Sequence, residues 1–238
     1  MFKKITFSSS YKDFILAPLP SKKLVPNWYK KMPNFNGEIK NFQRPTVKKC
    51  VPFLDSLTSG YFLLNPMDIV FWKEKEDVHW RYPDQVNTND FPNINVGIEL
   101  HHLNQVSNEI LREEEEEIVF KWLNPWVIKT PKNYSCLFVN PFHREDNPTR
   151  IIEGIVDTDQ YCTQQINFPF FIKQLKEGES LLIKKGHPIV LIFPFLRDDW
   201  KLSIKNHDNA KMFLQKFKFF SKVADNYKSI FWKKKNYD

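Results

Sequence analysis

Between residues 69 and 195 the sequence repeats one pattern, and this pattern restricts the possible folds more than any other feature. Short runs of β-branched and aromatic residues alternate with Pro, Gly, Asn or Asp, at spacings of roughly 8–15 residues. Such spacing is typical of antiparallel β-sandwiches and barrels, so we expect a mainly β protein. The runs expected to form strands are 69–72, 78–82, 98–103, 118–122, 126–129, 134–139, 151–156, 164–171, 180–184 and 189–195.

The segment before these strands is rich in proline. Five prolines interrupt residues 1–45, which predicts an extended arm over the main domain with one short helix at 26–31. Trp28 and Tyr29 are the expected anchors of this arm. From Thr46, a residue suited to begin a helix, apolar residues recur three and four positions apart, which predicts a short helix near 47–59.

The last segment predicts a long amphipathic helix near 209–232. Asp208 and Asn209 are suited to begin it, and the apolar residues that follow return at helical spacing with lysines between them. For this helix, packing on the sandwich and docking to a membrane surface or a partner both stay open. We therefore expect a single domain over 1–238, made of a Pro-rich arm (1–45), a β-rich core (46–205) and a basic amphipathic helix (206–238).

The net charge of +7 hides an uneven distribution. Lys and Arg number 11 against 2 acidic residues in 1–49, 14 against 23 in 50–200, and 10 against 3 in 201–238. We interpret the basic ends as neutralising the acidic middle, because no recognisable nucleic-acid-binding module accompanies them. Nucleic acid is therefore not the expected partner. The acidic run 113–117 is expected to be a solvated turn or a sheet edge.

The cysteines and the apolar runs indicate where the protein acts. Cys50, Cys136 and Cys162 are far apart and form no CxxC pair, so we expect buried free thiols in a reducing compartment. The first residues lack the apolar region of an export signal, and no apolar run is long enough for a transmembrane helix. The expected location is the cytoplasm.

Few residues have the spacing that known chemistry requires. The chain has no GxGxxG, P-loop, GxSxG or HExxH motif, and no motif identifies a cofactor. Asp157 and Asp159 follow an apolar run two positions apart, which on a strand puts both carboxylates on the same side. Such a pair can hold a divalent cation, orient water or share a proton. The alternative is an Asp-Thr-Asp turn whose side chains bond their own backbone. His101 is the candidate metal ligand.

Three segments resemble the core motifs of the dUTPase and dCTP-deaminase superfamily: TPKNY at 130–134, GIVDTDQY at 154–161 and GHPIVLI at 186–192. The resemblance implies a β-clip fold, with Asp157 at the position of the water-activating carboxylate and Tyr161 near the pyrimidine or ribose. Where that family binds phosphate, this chain has NPFHR, in which His143 and Arg144 are able to contact an anion. The family's Gly/Ser cradle and Gly-rich C-terminal arm are absent, so the resemblance implies the fold rather than the triphosphatase activity.

The chain also resembles, over nearly its whole length, an uncharacterised family of marine tailed phages and bacteria. The shared motifs are PNW, KKCVPFLDSLTSGY, NPWVIKTPKNYS, GIVDTD, NFPF and PFLRDDW. This resemblance implies a phage source and action in the cytoplasm of the infected host, but it implies no activity.

Two functions from different classes follow from the sequence. The first is an accessory protein that binds a small molecule or a protein partner without catalysis. An oligomer is compatible with this function. The second is an enzyme with a carboxylate or metal centre in a β-clip or cupin-like pocket, acting by nucleotide hydrolysis or metal-dependent chemistry. A structural role in the virion is a third alternative.

Candidate residues can be named for both functions. The catalytic candidates are Asp157, Asp159 and Tyr161, with His101 as metal ligand. The enzyme hypothesis requires several of these to converge with His143 and Arg144 around one cavity. The predicted ligand-binding residues are Trp126, Tyr134, Asn140, His143, Arg144 and Trp200.

Overall fold

The computed structural model describes residues 3–36, 44–83, 96–144, 147–206, 209–220 and 226–238. Its contacts divide the chain into two compact units. We call Met1–Leu19 together with Gly60–Arg197 the β unit, and Pro20–Ser59 together with Asp198–Asp238 the helical unit. The stretch expected to form one N-terminal arm is therefore shared between the units.

Strands account for most of the regular structure in the described residues. In chain order they are β1 (Thr6–Ser8), β2 (Leu19–Pro20), β3 (Phe35–Asn36), β4 (Arg44–Pro45), β5 (Tyr61–Leu64), β6 (Ile69–Glu74), β7 (Asp77–Arg81), β8 (Gly97–His101), β9 (Val119–Leu123), β10 (Val127–Lys129), β11 (Tyr134–Val139), β12 (Thr149–Ile151), β13 (Gly154–Val156), β14 (Phe168–Ile172), β15 (Ser180–Ile183) and β16 (Pro188–Leu196). The helices are α1 (Asn27–Lys31), α2 (Val51–Thr58), α3 (Asn209–Phe220) and α4 (Asn226–Ile230).

The β unit is built from antiparallel sheets, which confirms the predicted fold class. One sheet contains the strand order β13-β11-β16-β5, a second has the order β12-β14-β9-β8, a third has β15-β6-β7, and β1 pairs with β10. Their registers are antiparallel throughout. The arrangement is that of a β-sandwich or β-clip-like fold, because the sheets share one apolar core.

Aromatic side chains join the sheets through this core. Phe120 on β9 meets Phe71 on β6 edge-on, with ring centroids 5.0 Å apart. Phe138 on β11 meets Phe168 on β14 at 5.3 Å. All four rings are at most 3% exposed. Burying each ring stabilises the fold by roughly 1.5–3 kcal/mol, so these contacts link the sheets into one unit.

The predicted strand at 151–156 is wrong in one respect, because it is two strands in two different sheets. Ile151 ends β12 and pairs with Phe170 of β14, whereas Ile155 lies in β13 and pairs with Leu137 of β11. The chain crosses between the sheets at residues 152–153. A run of β-branched residues shows no sign of such a crossing, because both strands satisfy the same local preference.

The acidic run 113–117 is in part the expected solvated turn, because Glu113, Glu114 and Glu117 are exposed, but its two middle residues are buried. Glu115 and Glu116 are 7% and 6% exposed. Glu115 pairs with Arg150 at 2.5 Å, and Glu116 pairs with Lys73 at 3.0 Å while accepting from the Leu175 backbone N–H at 2.6 Å. Buried carboxylates persist only with such partners, which lie far away in the sequence.

The expected burial of the cysteines holds for one of the three. Cys136 on β11 is buried, Cys162 is half-buried and Cys50 is exposed. Burial raises the pKa of the Cys136 thiol to about 11, so this thiol stays protonated and unreactive.

The helical unit is organised around α1 and α2. Tyr29 on α1 is 5% exposed and stacks on Phe53 of α2 with ring centroids 5.8 Å apart. Trp28, the other predicted anchor, contacts Phe53 edge-on at 6.0 Å and stays 41% exposed. The predicted helix near 47–59 is present as a 3₁₀ turn at Val47–Lys49 followed by α2. Thr46 begins this turn by accepting a hydrogen bond from the Lys48 backbone N–H.

The predicted C-terminal helix is present as α3 and α4, and residues 221–225 between them lie outside the described residues. Beyond α4, the Trp232 indole and the Lys235 ammonium donate to the Asp55 carboxylate of α2 at 3.0 and 2.6 Å. Of the helices in the described part of the chain, none has the length and apolarity needed to span a bilayer.

The approach of Gly60 to β16 yields a test of the β unit. Gly60 has φ +90°, and a Cβ atom there would lie 2.6 Å from the Ile192 carbonyl oxygen. We expect Gly60→Ala to lower the free energy of unfolding by about 2–3 kcal/mol, because the backbone must move. Gly178 is the matched control: its φ is +72° but no atom lies within 4 Å of the added Cβ, so Gly178→Ala should cost about 1 kcal/mol. Equal losses in urea unfolding would contradict this account.

Candidate functional site

A cavity of about 480 Å³ opens in the β unit beside the loop that follows β11. We call it the arginine cavity. Its polar lining includes Arg112, Arg144, Arg150 and Lys173, the amides Asn140 and Asn147, and His143. Three of these, Asn140, His143 and Arg144, are predicted ligand-binding residues, and the structure brings them together.

The floor of the arginine cavity is a buried ion pair. The Arg150 guanidinium donates to the two carboxylate oxygens of Glu115 at 2.5 and 2.6 Å and to the Ile110 carbonyl at 2.7 Å. The same guanidinium lies 4.7 Å from the ring centroid of Phe171. The hydrogen bond to Glu115 raises the pKa of Arg150 above its already high value. This network holds one guanidinium plane in a fixed orientation.

The wall of the cavity is the loop at 140–144. The Asn140 side chain accepts from the Ile151 N–H at 2.8 Å and donates to the Ile151 carbonyl at 3.2 Å, which ties the loop to β12. Its amide also donates to Glu153. Phe142 stacks on Phe193 of β16 with centroids 5.8 Å apart. Asn140 therefore holds the wall in place through its own amide group.

His143 and Arg144 complete this wall. His143 has φ +54°, a left-handed conformation that a non-glycine residue adopts at a cost of roughly 1–2 kcal/mol. The Arg144 guanidinium lies 5.4 Å from the ring centroid of Phe62. Residues 145 and 146, the last two of the NPFHRED motif, lie outside the described residues. Strained backbone of this kind clusters at functional sites, where surrounding contacts maintain it.

A second cavity of about 520 Å³ adjoins the arginine cavity, with Asn147, Pro148 and Lys173 lining both. At this border, Asn147 accepts from the Thr149 hydroxyl at 3.0 Å, and its Oδ1 lies 3.2 Å from His187 Nε2. A ligand longer than the arginine cavity can extend past Asn147.

Asp159 does not face this cavity. The Arg197 guanidinium donates to both of its carboxylate oxygens, at 2.8 and 2.6 Å, and the Asn133 backbone N–H donates at 2.8 Å. Its side chain is 3% exposed. These bonds, led by the one from Arg197, lower the pKa of Asp159 to about 2. Asp159 is therefore an ionised structural group, and the proton of a general acid is not available there.

Asp157 lies beside it and is more accessible, with its side chain 59% exposed. It accepts from the Ser135 hydroxyl at 2.6 Å and pairs with Arg197 at 3.0 Å. The bond from Ser135, followed by that from Arg197, lowers the pKa of Asp157. Its backbone carbonyl also accepts from the N–H groups of Gln160 and Tyr161, so the GIVDTD run ends in a turn, while the two carboxylates bind Ser135, Asn133 and Arg197 of other segments.

The remaining predicted residues are dispersed. Tyr134 begins β11, where its hydroxyl accepts from Lys3. Tyr161 is 44% exposed, Trp200 is 89% exposed in the helical unit, and Trp126 is 6% exposed in the apolar core. His101 ends the edge strand β8. Among the described residues no group of three His, Cys, Asp or Glu side chains is placed to hold a metal ion, so the structure assembles no metal site around His101.

The catalytic and ligand-binding candidates therefore do not share one cavity. Tyr134 and its neighbours, with Asp157 and Asp159, lie at one end of β11, and Asn140 follows the other end. Six strand residues separate these ends by roughly 20 Å. The convergence that the enzyme hypothesis requires is absent among these described residues.

Several side chains in these sites were missed from the sequence. Arg150, Arg112 and Lys173 line the arginine cavity, and Arg197 pairs with both aspartates. Arg197 lies in the shared PFLRDDW motif, a signal that could have drawn attention to it. The other three lie in unremarkable sequence, and only the pairing of distant strands brings them together.

Comparisons with known proteins add little to this geometry. No family model and no curated protein matches the chain. Among solved structures, the D95N mutant of the dUTPase from phage phi11 of S. aureus aligns with a TM-score of 0.31 and 8% identity, over 87% of this chain and 99% of that chain. A similarity this weak carries no argument about activity, so the predicted resemblance to dUTPases stays a prediction.

The Arg197–aspartate cluster predicts how stability depends on pH. The pKa of Asp159 is about 2 in the folded chain against 3.8 ordinarily, so its contribution is complete above pH 3.8 and is lost as pH falls towards 2. We expect Arg197→Gln to reduce the loss of stability between pH 4 and 2, measured by urea unfolding, because Asp159 loses its main partner. Lys132→Gln, an exposed neighbour, is the control. An unchanged pH profile in Arg197→Gln would contradict the assignment.

Proposed function

We propose that the β unit binds a small anionic ligand, bearing a phosphate or carboxylate group, in the arginine cavity. One observation carries the proposal: the predicted residues His143 and Arg144 line a cavity together with Arg112, Arg150 and Lys173. Guanidinium groups recognise phosphates and carboxylates through two parallel N–H bonds, which makes Arg the preferred residue for such ligands.

The lining carries more positive than negative side chains. The cavity has four Lys or Arg side chains against three Glu. Glu115 is paired with Arg150, Glu153 accepts from the Asn140 amide, and Lys173 pairs with Glu179 beside the cavity. Arg112 and Arg144 both line the cavity, so a ligand anion bound there would lie near both residues.

The size and the aromatic surfaces indicate the rest of the ligand. A cavity of about 480 Å³ is within the range that holds small molecules, and it adjoins a second cavity past Asn147. Phe142, which is 38% exposed, supplies flat apolar surface next to the cations, whereas Phe171 is buried beneath Arg150. We propose a ligand with an anionic end and a flat or apolar body, such as a nucleotide or an aromatic acid.

We propose a role in binding rather than catalysis. Two of the three carboxylates that line the cavity, Glu115 and Glu153, are engaged with Arg150 and Asn140, and the aspartates predicted to be catalytic lie at the other end of β11. The sequence resemblance to phage proteins supports an accessory role in an infected host, with the ligand taken from the host's metabolites.

A thermal-shift screen tests the proposal directly. Inorganic phosphate, nucleoside mono- and triphosphates and aromatic carboxylates are the probes, since a ligand that binds only the folded chain raises its melting temperature. We expect Arg144→Gln to weaken the response to an active probe at least about tenfold in apparent Kd, because a bond to a charged group is lost. Lys132→Gln, which does not line the cavity, is the matched control. No shift with any probe, or equal responses in both variants, would overturn the proposal.

His143 provides a second test that separates binding from stability. Glycine adopts a φ of +54° without strain, so we expect His143→Gly to raise the free energy of unfolding by about 1 kcal/mol. If His143 is placed there for the ligand, the same variant should bind the active probe more weakly. Urea unfolding and probe titration measure the two effects. A variant that is both destabilised and unimpaired in binding would show that His143 has no role in the cavity.

A further inference from the structure

The helical unit exposes a run of large apolar side chains beyond the β unit's last strand. Residues 198–206 form no helix or strand, and Trp200, Leu202 and Ile204 within them are 89%, 90% and 88% exposed. Lys201 and Lys205 are each next to one of these apolar residues in the chain, so basic and apolar side chains occur together in this segment.

Helix α3 repeats this division of apolar and basic residues. Phe213, Leu214 and Phe217 are 67%, 59% and 65% exposed. Phe213 and Phe217 are four positions apart and so share one face, which Leu214 widens. At the spacing of an α-helix, Lys211 and Lys216 lie outside this apolar face. These three apolar side chains are therefore largely exposed on one face of α3.

The charge of this region is strongly positive. Residues 201–238 contain 10 Lys and 3 acidic residues, and α3 itself contains lysines and no acid. An exposed apolar surface of this kind is rare on a protein without a partner. Lysines on both apolar elements make an anionic partner the complementary one.

We propose that residues 200–206 together with residues 209–217 of α3 form a docking surface for an anionic lipid membrane, on which the chain lies at the interface without crossing it. Low overall apolarity, one apolar face, basic residues beside it and a tryptophan are the features of segments that lie in a bilayer interface. The apolar side chains enter the boundary between headgroups and acyl chains, and the lysines contact the anionic headgroups.

A membrane fits these observations better than a second copy of this chain. In a contact between two copies, this surface would bring lysines of both copies together unless an acidic surface covered them. Both α3 and residues 200–206 combine apolar and basic residues, and an anionic bilayer is complementary to both properties. Self-association is therefore the alternative outcome in the test.

Sedimentation of the full chain with lipid vesicles tests the proposal. The probes are vesicles of phosphatidylcholine alone and vesicles in which about a third of the lipid is phosphatidylglycerol. We expect binding to the anionic vesicles, little binding to the neutral ones, and a decrease as salt is added. Two variants test the surface: the triple variant Trp200→Ser/Leu202→Ser/Ile204→Ser and the double variant Lys201→Gln/Lys205→Gln. We expect the affinity of each for the anionic vesicles to fall at least about tenfold.

The control removes apolar surface of similar exposure elsewhere. Ile155 and Leu100, on edge strands of the β unit, are 62% and 53% exposed, and Ile155→Ser/Leu100→Ser should bind vesicles as the unmodified chain does. Thermal unfolding confirms that each variant folds. Absence of binding to anionic vesicles, or equal binding by all variants, would overturn the proposal. Concentration-dependent dimers that the triple variant abolishes, without vesicle binding, would assign the surface to self-association instead.

Discussion

The β unit depends on aromatic rings that meet between its sheets. Phe120 and Phe138 each contact a ring from a different sheet, and the strands that carry them are thereby fixed in position. Once this apolar core excludes water, any carboxylate at its margin needs a cation. Glu115 and Glu116 satisfy that requirement with Arg150 and Lys73, and the first of these pairs becomes the floor of the arginine cavity.

Strand β11 separates the two polar clusters of the β unit. At its start, Arg197 binds both Asp157 and Asp159, and the cluster is closed by bonds from Ser135 and Asn133. At its end, the loop at 140–144 is held by β12 and places His143 and Arg144 along a cavity. The first cluster holds the fold, whereas a cavity lined by arginines and an aromatic ring is suited to a ligand.

Much of the strand order along the chain was predictable, because alternation and turn residues are local properties. The hairpin of β6 and β7, strand β11 and strand β15 lie within one or two residues of their predicted places. The candidate site was predictable only in part. NPFHR marked His143 and Arg144 through a family resemblance, but Arg112 and Lys173 carried no signal, since single basic residues in a sequence are usually solvated.

The sequence by itself determined the mainly β class, the helix near 47–59 and the amphipathic, basic nature of the C-terminal segment, because each follows from residue spacing within a few turns of chain. Tertiary structure decided where the chain changes sheets at 152–153, which cation meets each carboxylate, and that Phe213 and Phe217 stay exposed. These outcomes depend on contacts between residues far apart in the chain. The free energy of a charge or an apolar ring is set by what finally surrounds it, and periodicity does not contain that information.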